Sequence, residues 1–396
     1  MEQIIQSFFN IDIIQAALPF LMKGFGMTVL LILTVVPLGV AGGLMVALLS
    51  TVKNRWVRWL VVIYTDFFRA FPPLVLLIFI YFGIPFLGID LPKKGAMLNN
   101  YYATGHASLG NYEAMVSGQP ESPASQADCR QYVDFTSNGA PAPIDKDGIA
   151  KGDGCVYPPS VMTIADQLEA RHLTWRGYME DMGKDPAREA SRCARPAIGG
   201  NGVLKATAAD AYAYRHNPFI YFHSIVDREA ACNANVVNFD HLARDLSSVS
   251  TTANYVFITP NVCNDGHDAP CADGRPGGLV SADEWLKRWV PRILAAPAFR
   301  KDGLLIVTFD EAGSDSSACC NEPPGPNVSA PGYYGPGGGR VGAILLSRYI
   351  RPGTVVNVPI NHYGMLRSVE DIFGLPYLGY AADPALNTFS FAFQTP

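Results

Sequence analysis

The amino-acid sequence predicts an α/β domain with a mostly parallel sheet, preceded by two transmembrane helices. Up to about residue 89 the chain consists mainly of Leu, Val, Ile, Phe and Gly, whereas beyond Pro92 it is polar and rich in Gly, Pro, Asp and Asn. In the polar part, short β-rich runs alternate with amphipathic helical patterns, which is the order of a parallel sheet covered by helices. We therefore expect a membrane region over 1–92 and a separate domain over 93–396.

The first part of the chain contains two apolar stretches long enough to cross a bilayer. Residues 25–50 include no charged side chain, and a second apolar stretch covers about 60–87. Each is longer than the roughly 20 apolar residues that one crossing of the bilayer needs. The loop between them carries Lys53, Arg55 and Arg58, which the positive-inside rule places in the cytoplasm. The sequence thus predicts an inner (cytoplasmic) membrane protein whose C-terminal domain is periplasmic or extracellular. A cleaved signal peptide is the alternative for the first stretch.

Two segments of this region resemble the start of a polar amino-acid ABC-transporter permease. They read "KGFGMTVLLILTVVPLGV" and "YTDFFRAFPPLVLLIFIYFGIP". The resemblance implies a permease-like region in contact with membrane lipid. The later permease helices and a Walker A phosphate loop do not occur in the chain. We therefore expect no transport by this chain alone and no ABC ATPase subunit as its partner.

Three runs in the polar part predict buried strands and three others predict helices. The strands are "YVFIT" (255–259), "GLLIVTF" (303–309) and "VGAILLS" (341–347). The helices are "SVMTIADQLEARHL", "SADEWLKRWVPRILA" and "NHYGMLRSVEDIFGL". Ser281 and Glu284 have the spacing of a capping box at the start of the second helix, and Gly374 is expected to end the third.

All eight cysteines follow Pro92: Cys129, Cys155, Cys193, Cys232, Cys263, Cys271, Cys319 and Cys320. An even number in one domain is typical of disulfides in an oxidising compartment, with free buried thiols as the alternative. Cys263 and Cys271 bracket a short loop and are predicted to form a local bridge. The formal charge of −5 without a basic block argues against nucleic acid as a partner.

Three polar clusters follow apolar runs, which is where ligands bind in α/β sheets. They are "ITPNVCNDGHD", "FDEAGSD" and "GHASLGNY", and "YRHNPFIYFHS" and "NHYG" contribute further histidines. The candidate site residues are Ser108, His106, Asn261, Asp265, His267, Asp310, Glu311, His216 and His362.

These residue types suit phosphoryl transfer. Asp310 and Glu311 offer hard oxygen ligands for one divalent metal ion, such as Mg, Ca or Mn, and Ser108 beside it would be an activated nucleophile. His216 and His267 could donate to phosphate oxygens or protonate the leaving group. Structural alternatives stay open: the carboxylates as a solvated pair, Ser108 as a helix cap, and the histidines as core residues.

From about Lys94 onwards the sequence resembles the bacterial phosphoesterase family of phospholipases C and acid phosphatases. The matching stretches are "NYYATGHASLGNYEAMVSGQ", "HNPFIYF", "ITPNVCNDGHD", "LLIVTFDEAGSD" and "NHYGMLRSVEDIFGLP". The resemblance implies an alkaline-phosphatase-like α/β/α sandwich, with Ser108 as nucleophile and metal contact, Asp310 and Glu311 as metal ligands, and His216 and His267 on the phosphoryl group. His106, Asn111, Asn261, Asp265 and His362 are expected to support the phosphate site.

The chain departs from that family at one place. The family's first strand ends in a Glu-Asn pair of metal ligands, and "EN" occurs nowhere in this sequence. The chain thus resembles two unrelated proteins joined near Leu91–Lys94. A gene fusion, a deletion, a frameshift and an assembly error are each compatible with this pattern, and we expect the activity to be weakened or absent.

The leading functional interpretation is a membrane-tethered, metal-dependent hydrolase of phosphoric esters, of the acid phosphatase or phospholipase C type. Its substrate would be a small phosphoester or a phospholipid head group. The alternatives are a truncated permease fragment with a passenger domain, and a non-functional chimera.

Overall fold

The computed structural model describes residues 95–323, 325–330 and 335–393, and the scattered positions 22, 29, 33, 37, 43–49, 52, 54, 55, 59 and 61. The chain divides into two compact units, Met1–Leu91 and Pro92–Pro396.

The prediction of two transmembrane helices is wrong for the part of the chain that the structure describes. No helix there is both long and apolar enough to pass through a bilayer. The longest helical run described before residue 95 is 43–49, which at about 1.5 Å per residue covers about 10 Å of a hydrocarbon core of about 30 Å. Apart from that run and the single positions 29, 33, 37 and 61, the predicted spans 25–50 and 60–87 lie outside the described residues. The inner-membrane location depended on these helices and is corrected with them.

The strands of the second unit are short, and the longest four have five residues each. In chain order they are β1 (Ala96–Leu98), β2 (Tyr101–Tyr102), β3 (Thr136–Ser137), β4 (Ala140–Pro141), β5 (Trp175–Met179), β6 (Val236–Asn238), β7 (Tyr255–Thr259), β8 (Leu304–Thr308), β9 (Ala343–Ser347), β10 (Thr354–Val356) and β11 (Ile360–Asn361).

 Three of these four strands, β7, β8 and β9, were predicted from the sequence. The fourth is β5.

The helices of this unit are mostly short, and two are longer than ten residues. In chain order they are α1 (Ser108–Ser117), α2 (Ile164–Ala170), α3 (His223–Val226), α4 (Glu229–Asn235), α5 (Leu242–Asp245), α6 (Gly278–Ala295), α7 (Pro297–Asp302) and α8 (His362–Phe373). Single 3₁₀ turns occur at Ser125–Ala127, Tyr214–His216, Pro218–Tyr221, Phe239–His241, Gly379–Ala382 and Phe389–Ala392.

Two main sheets form the framework of the unit. One has three parallel strands in the order β6-β5-β7, and the other has four strands in the order β10-β1-β9-β8. Strand β9 runs antiparallel to both of its neighbours, whereas β1 and β10 are parallel. The α/β class is confirmed, but the second sheet is mixed rather than mostly parallel, because β9 returns directly beside β8 without a crossover helix.

The predicted strands form where the sequence places them, but two of them are less buried than expected. Every residue of β8 and the first four residues of β7 are partly exposed, although both strands are apolar. Each is the last strand of its sheet among the described residues, so its side chains have a strand neighbour on one side only. Beyond the two carboxyl ends the chains meet, because a Cβ added at Gly266 would lie 3.3 Å from the Phe309 ring.

The helix ends follow local capping rules. Thr163 begins α2 with a capping box that it shares with Asp166, and Asn361 caps α8, which ends before Gly374 as predicted. Helix α6 begins earlier than expected, after Gly277. The Ser281 hydroxyl lies inside that helix and accepts a hydrogen bond from the Gly277 amide, so its prediction as the N-cap is wrong.

All eight cysteines are paired, as Cys129–Cys155, Cys193–Cys232, Cys263–Cys271 and Cys319–Cys320. The predicted local bridge between Cys263 and Cys271 is confirmed. The main core contains stacked aromatic side chains, with the ring centres of Phe135 and Tyr157 4.6 Å apart. The disulfides and the aromatic packing stabilise the core from which the polar loops extend.

Candidate active site

Ser108 is the first residue of α1, in the turn that follows β2. Its side chain is buried, and its Oγ donates a hydrogen bond to Oε1 of Glu311 at 3.1 Å. The N-cap of the helix is Ala107, so Ser108 is not the cap. The preceding turn is held by Asn111, whose Oδ1 accepts hydrogen bonds from the amides of Thr104 and Gly105. Asn111 therefore shapes the loop that presents the serine.

His216 lies directly beside the serine. Its Nε2 is 3.2 Å from Ser108 Oγ, and its Nδ1 is 3.0 Å from Oδ2 of Asp265, although that pair is not aligned as a hydrogen bond. The Tyr112 ring stacks on the imidazole, with ring centres 5.6 Å apart. The histidine is buried, so its position is fixed by the carboxylate on one side and by the serine on the other.

Asp310 and Glu311 follow the carboxyl end of β8. Burial raises the pKa of Asp310, and burial together with the neighbouring Asp310 raises the pKa of Glu311. Oε2 of Glu311 is 3.1 Å from Nδ1 of His106, whose Nε2 is 2.8 Å from the backbone oxygen of Asp315. Two carboxylates thus share a partly buried site, which favours the approach of a cation.

The donor atoms here fit a divalent cation. Oδ2 of Asp310 is buried and has no hydrogen-bond partner, and it stands next to Glu311 and the Ser108 hydroxyl. Carboxylate and hydroxyl oxygens are ligands that Mg²⁺, Ca²⁺ and Mn²⁺ accept. Cys263, Cys271 and Asp273 also lie close together, but the two cysteines are joined in a disulfide and offer no thiolate to a metal ion.

His267 and Arg215 lie on the side of His216, which is next to the serine and the carboxylates. The rings of His216 and His267 meet edge to face at 5.9 Å, and Nε2 of His267 is 3.1 Å from Nη2 of Arg215. Arg215 also approaches Asp128, with Nε 3.6 Å from Oδ2. Sequence reasoning missed Arg215, although it immediately precedes His216 in the quoted "YRHNPFIYFHS" segment.

Two other candidates take no part in these contacts. Asn261 lies in the turn after β7, where its Oδ1 accepts from the Cys263 amide and its side-chain amide donates to Asp181. His362 is fully buried, with Nδ1 2.7 Å from the Tyr101 hydroxyl and Nε2 2.7 Å from the backbone oxygen of Asp310. Both residues brace the loops around the site.

Five side chains therefore lie together near the ends of strands. Glu311 contacts Ser108, Ser108 contacts His216, and His216 contacts Asp265, and Asp310 is close enough to His216 and Asp265 to interact with their charges. We call these five side chains the acid–serine cluster. A buried hydroxyl next to an imidazole and beside paired carboxylates is an arrangement for nucleophilic attack on a charged ester.

The chain belongs to the Phosphoesterase family, whose sequence profile matches residues 50–376. Among its relatives is a phosphate-repressible acid phosphatase of Penicillium chrysogenum, 28% identical over 293 residues, covering 73% of this chain and 54% of that protein. Another is a phosphatidylinositol-3-phosphatase of Mycobacterium tuberculosis, 25% identical over 305 residues, covering 76% of this chain and 73% of that protein. The chain spans about half the length of the fungal acid phosphatases that it matches.

A separate similarity covers 90 residues of the chain. It is to a probable amino-acid ABC transporter permease of Bacillus subtilis, 33% identical, covering 23% of this chain and 40% of that protein. A solved structure of a Vibrio parahaemolyticus protein in the alkaline phosphatase superfamily has a TM-score of 0.40 and 11% identity, covering 72% of this chain and 59% of that one.

Proposed function

We propose that the protein hydrolyses phosphoric monoesters, with Ser108 as the nucleophile. The observation that carries this proposal is the distance of 3.2 Å between Ser108 Oγ and His216 Nε2, beside the carboxylates of Asp310 and Glu311. Membership of the Phosphoesterase family and the acid phosphatases among its relatives support the same reaction.

The chain's own side chains account for the proton and charge movements. Ser108 Oγ attacks phosphorus and loses its proton to His216, while Asp265 balances the positive charge that the imidazole gains. The bond from phosphorus to the ester oxygen breaks, and the leaving oxygen receives through water the proton that His216 accepted, so that it departs as the alcohol. We assign the donation of N–H groups to the phosphate oxygens to Arg215 and His267, whose side chains lie beside each other. Water then hydrolyses the phosphoserine and restores the hydroxyl.

Asp310, Glu311 and Ser108 are the residues that would hold a divalent metal ion. Bound there, the ion would supply positive charge that lowers the pKa of the serine hydroxyl and offsets the charge of the phosphate. Two carboxylates and one hydroxyl are few donors for a cation that takes six or more oxygen ligands. We therefore propose weak metal binding, with water completing the coordination shell.

The test is hydrolysis of p-nitrophenyl phosphate by the full chain between acid and neutral pH, with Mg²⁺, Ca²⁺ or Mn²⁺ added. Ser108→Ala is expected to lower kcat by roughly 10³-fold or more, because no other group replaces the nucleophile. Ser117→Ala is the matched control, since this buried serine lies on the same helix and bonds only to the helix backbone and the next turn. Equal turnover by Ser108→Ala and the unaltered chain would refute the proposal.

A second candidate, hydrolysis of carboxylic esters, is favoured by one observation. Ser108, His216 and Asp265 are in the contact order of a serine–histidine–aspartate triad. The carboxylate of Glu311, 3.1 Å from the nucleophile, would repel the oxyanion of such a reaction. Turnover of p-nitrophenyl acetate without turnover of the phosphate would favour this candidate.

A further inference from the structure

A cavity of about 470 Å³ opens beside the acid–serine cluster. Its walls are apolar where Leu204, Val262 and Pro270 line it, and Lys205 and Arg215 bring positive charge to it. The volume falls within the range of about 300–1,000 Å³ that is usual for small-molecule sites. We call it the Lys205 pocket.

The pocket is connected to the nucleophile through two histidines. His267 lines the pocket and its ring contacts that of His216 at 5.9 Å. His216 in turn lies 3.2 Å from Ser108 Oγ. A phosphate held at the serine would therefore direct the rest of its ester towards this cavity.

The Lys205 segment is held in place by its neighbours. Nη2 of Arg188 donates to the backbone oxygen of Lys205 at 3.1 Å, and Nη1 of Arg188 lies 2.5 Å from Oδ1 of the buried Asp210. Leu204 packs against the main core. The backbone that carries Lys205 is thus part of the folded frame.

The charge of the Lys205 pocket is positive. Asp268 is its acidic side chain, and it is already engaged by Nδ1 of His267 at 2.8 Å. Arg215 has an acidic neighbour, Asp128, at 3.6 Å. Within the described residues, the Lys205 ammonium has no acidic side chain within salt-bridge distance. The pocket therefore offers one cationic group without an acidic partner among the described residues, the Lys205 ammonium, next to its apolar walls.

We propose that the Lys205 pocket holds the alcohol part of the ester and that Lys205 selects small monoesters whose alcohol carries an anionic group. The apolar walls accept the carbon frame of the alcohol, and the ammonium pairs with the negative charge at its far end. This proposal rests on the proposed phosphoester hydrolysis and names its substrate class.

The test compares two esters of equal size, 4-carboxyphenyl phosphate, which is anionic in the ring substituent, and 4-carbamoylphenyl phosphate, which is neutral there. The measured quantity is the ratio of the KM for the neutral ester to the KM for the anionic ester. In Lys205→Met this ratio is expected to fall about twofold to fivefold, roughly the loss of one exposed ion pair. In Lys301→Met, which removes an exposed lysine from α7, the ratio should stay as in the unaltered chain.

An unchanged ratio in Lys205→Met would overturn the proposal while leaving the hydrolysis itself in place. If the chain turns over neither ester, the proposed hydrolysis fails, and calorimetric binding of the two compounds still decides the pocket. Tighter binding of the anionic compound that Lys205→Met removes would support the pocket, and equal binding of both compounds would overturn it.

Discussion

Two groups of buried polar side chains lie in the same unit but differ in what they bind. In the acid–serine cluster, side chains contact one another, as Ser108 contacts both His216 and Glu311. In a second group, Asn361, His362 and Glu370 of the α8 region, each side chain has a backbone partner. We call these three residues the α8 cluster.

Each residue of the α8 cluster has a backbone partner. Asn361 accepts from the Gly364 amide, His362 contacts the backbone oxygen of Asp310, and Glu370 accepts from the Leu378 amide at 2.9 Å. Within the described residues, each cluster leaves a buried carboxylate oxygen without a hydrogen-bond partner, Oε2 of Glu370 in one and Oδ2 of Asp310 in the other. The difference lies in the surroundings, because Asp310 adjoins a second carboxylate that contacts the Ser108 hydroxyl, whereas the other oxygen of Glu370 accepts from the backbone. A group of adjoining carboxylate and hydroxyl oxygens is available for a ligand, whereas a polar group that binds backbone stabilises the fold.

The sharpest test of this contrast removes a charge from the acid–serine cluster. Asp310→Asn is expected to lower kcat/KM for p-nitrophenyl phosphate by roughly 10³-fold, because the carboxylate that would hold the cation is gone. Metal content measured by mass spectrometry should fall with it. Asp302→Asn is the control, because Asp302 is exposed and lies just before β8, the strand that Asp310 follows. Full activity in Asp310→Asn would show that this carboxylate is structural.

In the α8 cluster the expected effect is on stability and depends on pH. Burial raises the pKa of Glu370 to about 8, so the folded state keeps a proton that the unfolded state releases above an ordinary pKa of about 4.3. Stability from this group is therefore complete at low pH and is lost as pH rises towards 8.

Glu370→Gln should lack that loss. Relative to this variant, the unaltered chain is expected to lose about 3 kcal/mol of unfolding free energy between pH 5 and pH 8. Urea unfolding at several pH values measures the difference. Parallel pH curves for the two proteins would mean that Glu370 ionises normally in the fold.

The residue behind His216 should have a smaller effect than Asp310. Asp265→Asn keeps the size of the side chain but removes the charge 3.0 Å from His216 Nδ1, and kcat is expected to fall about 30-fold. Asp273→Asn is the matched control, because Asp273 lies further along the same loop and pairs with Arg275. A drop of similar size in both variants would mean that the loop, not the charge, was disturbed.

The smallest effect is expected for the hydroxyl that contacts His362. Tyr101→Phe leaves Nδ1 of the buried His362 without this partner, which should lower the unfolding free energy by about 1 kcal/mol. The activity should change little, since the ring of Tyr101 still fills the core. Tyr349→Phe, at an exposed position, should change neither quantity. A large loss of kcat in Tyr101→Phe would show that the α8 cluster contributes to catalysis together with the acid–serine cluster.

The sequence predicted those parts of the molecule that depend on local composition. Strands β7, β8 and β9 are apolar runs, and α8 carries its own cap residues, so each was found at its place. The direction of β9 was not predictable, because it depends on which strand it lies beside. Strands such as β1 and β2 have three and two residues, too few to form a pattern.

The site was predictable to the extent that polar residues follow strands. Ser108, Asp310 and Glu311 could be chosen on that ground, but the contact between His216 and Asp265 depends on how two distant loops fold over one another. Arg215 escaped notice because a lone arginine beside a histidine carries no spacing signal. The two transmembrane spans were chosen by the length of their apolar stretches, which does not distinguish a membrane span from another apolar segment.

The partly exposed residues of β7 and β8 have a consequence for calorimetry. The heat-capacity change of unfolding reflects the apolar area that becomes exposed to water. Strands that already have part of this area in water in the folded state contribute less to that change. The heat-capacity increment of this unit should therefore be smaller than its length alone predicts, and its stability should vary less steeply with temperature.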